Sequence, residues 1–343
     1  MSEHGKPTAL ILGATGGIGG AVAETLLRRG WTVRALHRDP ATAAVRLGRR
    51  GVRPSWVAGD AMDSASVTAA ARGASLIVHA VSPPGYRNWG KLVLPMLDST
   101  ILAATETGAR ILLPGTIYNY GPDAFPTPDE RAPQHPRTRK GAIRVQMEQR
   151  LQQAADRGVR ALVVRTGDFF GPGCRQQLVL AEPGEAPGQP VTTISYPGKA
   201  GIGHQWAYLP DVAETMARLV EREGTPAMFE TFHMDGQWDA DGTQMVEVIR
   251  AATQRATQVK AFPWSLVTAA SPFVPLFREM RELRYLWRTP IRTSNRRLVE
   301  ALGQEPHTPL DSAVRATLAG LGCLPGDAGR AAPAGAAPCG GTA

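Results

Sequence analysis

The residues whose types and spacing could do chemistry are first of all glycines. Gly13-Ala14-Thr15-Gly16-Gly17-Ile18-Gly19 follows a short apolar run, Ala9 to Leu12, and precedes apolar residues at helical spacing from Ala21 to Leu27. Glycines between a strand and a helix permit a tight turn and let bare backbone approach a pyrophosphate. There the unpaired amides and the helix dipole favour negative charge. The strand before and the helix after raise this pattern above a chance glycine run. No Lys-Ser/Thr closes the loop, which excludes the usual P-loop. A second candidate stands at the tip of the next strand, Leu36-His37-Arg38-Asp39-Pro40. An NAD site wants a carboxylate there for the ribose hydroxyls, whereas a guanidinium can pair with a 2′-phosphate. Arg38 therefore favours NADP, with NAD left open because Asp39 follows one position later.

These groups need a scaffold, and the chain alternates short β-rich runs with helical patterns. Strands are expected at Ala9 to Leu12, Trp31 to Leu36, Trp56 to Ala58, Leu76 to His79, Ile111 to Leu113 and Ala161 to Val164. Helical spacing lies between them, around Ser64 to Ala71, Leu92 to Thr105 and Ala142 to Ala155. Near-continuous apolar strands belong to a sheet covered on both faces, and the alternation implies βαβ units. The fold class is α/β, a Rossmann doubly wound parallel sheet with a smaller C-terminal substrate-binding domain. The expected division is 1–172 for the dinucleotide domain, its core continued by segments from the C-terminal half, 173–324 mainly for substrate, and 325–343 as a disordered tail. After Gly171-Pro172-Gly173 the texture changes. Residues 182–190 read as a Pro- and Gly-rich loop, and helices are expected at 210–220, 242–256 and 275–287. Leu276, Met280, Leu283 and Trp287 make one apolar face of the last, read as core, with a homodimer contact as its other use.

Bulk properties bound the partners. The 343 residues are 43% hydrophobic and 20% charged, ordinary for a globular enzyme, with a formal net charge of +8. The basic residues are interleaved with acids, as in Arg278-Glu279-Met280-Arg281-Glu282, so no nucleic-acid partner is expected. Excess arginine near a pocket would still suit a phosphorylated cofactor or an anionic small molecule. No stretch reaches the roughly 18–20 apolar residues of a membrane span. Cys174, Cys323 and Cys339 form no C-x-x-C, so no disulfide framework is expected and the cytoplasm follows by elimination. The histidines show no metal-ligand spacing.

The glycine spacing, with Ala14-Thr15 inside it, resembles the extended and atypical short-chain dehydrogenase/reductases, the NAD(P)-dependent epimerase/dehydratase family. The resemblance spans roughly Thr8 to Leu321. It implies a cofactor held by Gly13, Thr15, Gly16, Gly17, Ile18 and Gly19, with Asp60 and its neighbour Ala61 at the adenine. Ala80 and Val81 would line the adenosine and ribose. In the family the fifth strand ends in Ser or Thr just ahead of a Tyr-Gly corner. Thr116-Ile117-Tyr118-Asn119-Tyr120-Gly121 fits, placing Thr116 at the substrate-polarising hydroxyl. The family's Tyr-x-x-x-Lys, proton donor and ribose anchor, is here Lys140-Gly141-Ala142-Ile143-Arg144, a departure. Arg165 to Pro172 resembles the family's Arg…Asn-x-Tyr-Gly-Pro stretch beside the nicotinamide, with Asp168 in place of Asn and Phe170 in place of Tyr.

Three readings of the departure stay open. Lys140 can be the acid/base group itself, because a partly buried ammonium beside a second cation loses pKa, and its four-residue spacing from Arg144 keeps both on one helix face. This resembles the isoflavone-reductase-like members. Alternatively, Tyr118 or Tyr120 supplies a phenol from the opposite wall. Or the site is silent and the chain is an NADP-binding or redox-sensing protein. The expectation is an oxidoreductase or epimerase/dehydratase-like enzyme acting on a small carbonyl or sugar-nucleotide-like substrate.

Overall fold

The computed structural model describes residues 6–83, 88–174, 191–224, 226–254 and 257–324. In chain order the first half runs β1 (Thr8–Leu12), α1 (Gly17–Arg28), β2 (Thr32–His37), α2 (Pro40–Gly48), β3 (Ser55–Ala58), α3 (Ser64–Ala71), β4 (Leu76–His79), α4 (Trp89–Thr107), β5 (Arg110–Thr116) and α5 (Arg139–Ala155). It continues with β6 (Ala161–Thr166), β7 (Asp168–Phe170), β8 (Thr193–Tyr196), β9 (His204–Tyr208), α6 (Leu209–Glu221), β10 (Phe229–His233) and β11 (Gln237–Asp239). Last come α7 (Gln244–Thr253), β12 (Gln258–Ala261), α8 (Trp264–Ala270), α9 (Pro275–Glu282), a 3-10 turn (Arg284–Trp287), α10 (Arg296–Leu302) and α11 (Leu310–Gly320).

Seven strands form one sheet in the order β10-β6-β5-β4-β1-β2-β3, every pairing parallel. This is the doubly wound arrangement that the apolar runs imply: β4, β5 and β6 are buried at every position. On one face the β1 side chains Ala9 and Ile11 pack with α1 and α6 through Val22, Leu26, Val212 and Met216. On the other, Leu10 and Leu12 pack with α3, α4 and α5 through Val67, Leu97 and Met147. The strand order reverses between β1 and β4, where open α/β sheets leave a crevice beyond the strands' carboxyl ends.

Beyond β6 the chain builds two small sheets, β11-β9-β7 and β12-β8. The segment expected as one helix over 275–287 is instead α9 followed by the 3-10 turn. Its apolar face is split as well. Leu276 is exposed, while Leu283 and Leu286 pack with Ile117, Tyr118 and Tyr120 beyond β5. Burying each is worth roughly 1.5–3 kcal/mol, which holds this segment over the end of the sheet. Three further expectations fall wholly or partly outside the described residues, and one other changes. The loop at 182–190 and the tail at 325–343 lie outside the described residues, as do 255–256 of the helix expected at 242–256. Cys174 is disulfide-bonded, so the cysteine spacing no longer argues for a reducing compartment.

The start of α5 is positioned by its own chemistry. Thr138 caps it, accepting a hydrogen bond from the Gly141 amide at 3.0 Å. A Cβ on Gly141 would lie 2.3 Å from the Tyr118 carbonyl oxygen and 2.5 Å from Pro136 Cβ. Only glycine lets α5 lie this close to the loop after β5. Gly141→Ala is expected to cost about 1–3 kcal/mol, read as a lower urea midpoint; an unchanged midpoint would show that the contact does not constrain the helix.

Candidate active site

The glycine loop leaves β1 at the switch point. Gly13 adopts φ +91°, and a Cβ there would lie 2.4 Å from the Ala80 carbonyl oxygen at the end of β4. A Cβ on Gly19 would lie 2.3 Å from the Gly13 oxygen. Side chains are excluded on both sides of the turn, so α1 begins hard against the strand ends. α2, α3 and α5 are capped by Asp39, Asp63 and Thr138, but no side chain caps α1 and no acid stands in its first turn. Its N-terminal amides and dipole therefore remain available to an anion. Thr15 is half-buried on this loop, and Gly16 donates its amide to Gly13 at 2.9 Å.

Arg38 is exposed just past β2. Asp39, the carboxylate next in sequence, is already used: its Oδ1 accepts from the Thr42 amide at 3.1 Å to start α2. Asp60 follows β3 half-buried and accepts from Met62 N at 3.0 Å, with Ala61 buried beside it. Ala80 and Val81 line a cavity of about 20 Å³ together with Ile18, His79, Pro114, Arg144 and Phe169. His79 is buried, and its Nδ1 lies 2.8 Å from Thr100 Oγ1. Thr100 donates its own hydrogen to Met96 O, so Nδ1 carries the proton and Nε2 is an acceptor. Nε2 is buried with no hydrogen-bond partner among the described residues. Burial, then the nearby Arg144, lowers the His79 pKa to about 3, so the ring is neutral. The backbone cradle, the uncapped helix, the guanidinium at the strand tip and this orphaned acceptor fit a dinucleotide.

The expected catalytic residues lie at the carboxyl ends of β5 and β6. Thr116 is buried, its Oγ1 3.4 Å from Asn119 Oδ1 and from the Tyr118 amide. Lys140 and Arg144 share one face of α5, yet their charged ends go different ways. Arg144 reaches the Pro114 carbonyl at 3.4 Å and lies over the Trp89 ring. Lys140 turns to α9: its Nζ lies 3.4 Å from Glu279 Oε2, and its backbone amide donates to Glu282 Oε1 at 2.8 Å. Burial lowers the Lys140 pKa to about 8 against the opposing pull of Glu279 and Glu282. The cause differs from the sequence argument. Desolvation dominates, and the second cation contributing is Arg139, not Arg144.

The two phenols separate. Tyr120 OH hydrogen-bonds Arg165 and lies 2.7 Å from His233 Nε2, while Arg165 also pairs with Glu148 of α5. Burial raises its pKa, and this network ties the phenol to structure. Tyr118 OH lies 3.5 Å from Asp168 Oδ1, and Asp168 Oδ2 is 2.9 Å from His204 Nε2. His204 stacks on Trp287, with centroids 3.9 Å apart and planes 6° apart. His204 and Tyr285 are absent from the sequence reading, and Glu279 and Glu282 entered it only as acids interleaved with bases, although Glu279 is buried. The signal for His204 was Asp168 itself, since a carboxylate buried where the family has an amide needs a partner.

A model of the NAD dependent epimerase/dehydratase family matches residues 9–230. No curated protein sequence matches the chain. Among solved structures, UDP-glucose 4-epimerase of Thermotoga maritima with UDP-glucose is similar at TM-score 0.68 and 17% identity, covering 91% of this chain and 97% of that one. WbmH of Bordetella bronchiseptica in complex with NAD+ gives 0.64 and 18%, covering 92% and 98%. UDP-glucose 4-epimerase of Stenotrophomonas maltophila, with NAD and formylated UDP-arabinopyranose, gives 0.68 and 14%, covering 91% and 97%. At these identities the likeness is one of fold.

The neutral His79 carries a measurable consequence. Its folded pKa of about 3 lies below the ordinary imidazole value of 6.5, so the unfolded chain takes up this proton first as pH falls. Stability from this group is complete above about pH 6.5 and declines towards pH 3. Between pH 7 and 5 the loss is about 2 kcal/mol. In His79→Gln the urea-measured stability should fall less over that interval by about this amount; an identical pH slope would place the proton elsewhere.

Proposed function

We propose, on the premise that the chain belongs to the NAD dependent epimerase/dehydratase family, that it is a dinucleotide-dependent oxidoreductase or epimerase/dehydratase-like enzyme. Its substrate is a small carbonyl compound or a sugar-nucleotide-like molecule. One observation carries the catalytic reading: a buried ammonium, Lys140, stands at the start of α5 with its pKa lowered to about 8. A bound nicotinamide dinucleotide supplies or accepts hydride. The phosphates would rest on the loop from Gly13 to Gly19, and Ile18, Val81 and Phe169 would border the ring. Thr116 would polarise the substrate oxygen, and Lys140 would hold the proton that this oxygen receives. Glu279 and Glu282 keep Lys140 charged despite its burial. NADP is the favoured cofactor because Asp39 is spent on α2 while Arg38 is exposed at the strand tip. WbmH and the Stenotrophomonas epimerase are solved with NAD, so a preference for NADP would set this chain apart from them. No described helix is long and apolar enough to cross a membrane.

A second reading, a non-catalytic NADP-binding or redox-sensing protein, is favoured by the Lys140–Glu279 contact and by the narrowness of the cavity beside Arg144. A panel of carbonyl substrates with NADPH separates the two, since turnover by the wild type removes the second.

Lys140→Ala should lose turnover about a hundredfold or more while NADPH affinity stays within a few-fold, measured by nicotinamide fluorescence and steady-state kinetics. The charged form of Lys140 is the acid, so reduction should decline as pH rises through about 8. Retained turnover in Lys140→Ala would remove Lys140 from the chemistry. Arg38→Ala should weaken NADPH about tenfold or more and leave NADH unchanged; equal losses for both would end the 2′-phosphate assignment.

A further inference from the structure

The stretch 258–277 carries one charged residue, Lys260, and no acid, yet folding leaves much of it in solvent. Its helices α8 and α9 pack as a hairpin across the turn 271–274. The base of this hairpin is fixed. Trp264 Nε1 donates to the Pro197 carbonyl at 2.7 Å, Arg284 lies over the Trp264 ring, and Val267 is buried. The tip is bare. Phe273 is 87% exposed, more than any other large hydrophobic side chain among the described residues. Val274 and Leu276 follow it into α9 at 37% and 40%, and Leu266 is 61% exposed on α8. Single exposed apolar residues are ordinary on a protein surface, but a group of them at one tip, rimmed by polar residues, marks a contact surface.

The charges beside the tip are sorted by sign. α9 holds Arg278, Glu279, Arg281 and Glu282. Both acids are engaged with Lys140: Glu279 is buried with the Lys140 Nζ at 3.4 Å, and Glu282 accepts the Lys140 amide at 2.8 Å. Both arginines are exposed. At 1.5 Å of rise per residue they lie within about 8 Å of Leu276 along the helix axis. They also line a cleft between α4, α5 and α9, where Lys91 and Arg139 join them, so four cations stand there against Glu279 and Glu282. An apolar tip with a cationic flank suits the surface of an anionic bilayer. The apolar side chains enter the acyl boundary while the guanidinium groups stay at the phosphates.

We propose that the α8–α9 hairpin is a peripheral docking surface for a bilayer carrying anionic phospholipid, held by Phe273, Val274, Leu276 and Leu266 and flanked by Arg278 and Arg281. The attachment is to the surface, since none of the described helices spans a membrane. A second copy of the chain fits this face less well. A two-fold contact sets a patch against itself, so Arg278 and Arg281 would face their own counterparts while the acids of α9 stay engaged with Lys140. Burying the Phe273 ring is worth about tenfold or more in affinity. Each arginine at an anionic leaflet adds about fivefold.

Co-sedimentation of the full-length protein with phosphatidylcholine vesicles, with and without about 30% phosphatidylglycerol, tests this. The anionic vesicles should bind about tenfold or more tightly than the neutral ones. On anionic vesicles Phe273→Ser should weaken binding about tenfold, and Arg278→Ala and Arg281→Ala about fivefold each. All three positions are exposed, so the fold should hold. Val45→Ser, at a site 61% exposed on α2, should change nothing. Equal binding to both vesicles overturns the proposal, as does an equal loss in Val45→Ser or indifference to both arginine variants. So does undiminished binding by Phe273→Ser, which would show that the net charge of +8 alone holds the protein to anionic lipid. Absence of vesicle binding overturns it too. In that case a self-associated wild type that Phe273→Ser turns monomeric would assign the patch to a second copy, and a monomeric wild type would assign it to a different protein.

Discussion

Everything in the site depends on how closely the backbone after β1 approaches the end of β4. A methyl group at position 13 would overlap the Ala80 carbonyl, and one at position 19 would overlap Gly13. That approach starts α1 directly at the switch point of the sheet, with its first amides bare. It also brings Ala80, Val81 and His79 beside Ile18 at one cavity. In the proposed reading a dinucleotide is held by this backbone packing, and Arg38 at the strand tip would modulate which dinucleotide is accepted.

Two buried ion pairs divide the labour beyond that point. Arg165 and Glu148 join β6 to α5, with Tyr120 and His233 completing the hydrogen bonding, so neither charge is left uncompensated. Burial opposes the Arg165 charge, but Glu148 more than offsets this. Lys140 and Glu279 join α5 to α9, and here the balance is closer: burial still wins and the ammonium loses basicity. A buried pair adds little net stability when its desolvation nearly equals its attraction. The first pair gives the strand ends a fixed geometry on which Thr116 stands. The second leaves a group whose protonation changes near neutral pH.

The fold was legible from residues because its signals are local. Apolar runs in strands, Gly30 after α1 and the glycine loop each act through near neighbours, and the parallel sheet follows from their alternation. The helix expected over 275–287 was less legible. Its apolar spacing continues through Trp287, but the segment bends after Glu282 so that Leu283 and Leu286 reach the residues beyond β5. Tertiary burial there outweighs the local period. Asp211 stands in the first turn of α6, where an acid suits the helix dipole. Its carboxylate also accepts from the Thr308 amide and hydroxyl at 2.8 and 2.7 Å, a tie between residues far apart in sequence that no local pattern encodes.

By itself the sequence determined the strand–glycine–helix junction, the parallel sheet, the placement of Arg38 at the second strand's tip and the substitution of Lys140 and Arg144 for the usual pair. Each depends on neighbours within a few residues or on a repeating period. Only the tertiary structure decided what surrounds those groups. Glu279 reaches Lys140 from well over a hundred positions away, His204 meets Asp168 from a different strand, and Tyr120 is claimed by Arg165 and His233. The reason is physical: a side chain's charge state depends on burial and on opposite charges within a few ångströms, and chain folding, not spacing along the sequence, sets both.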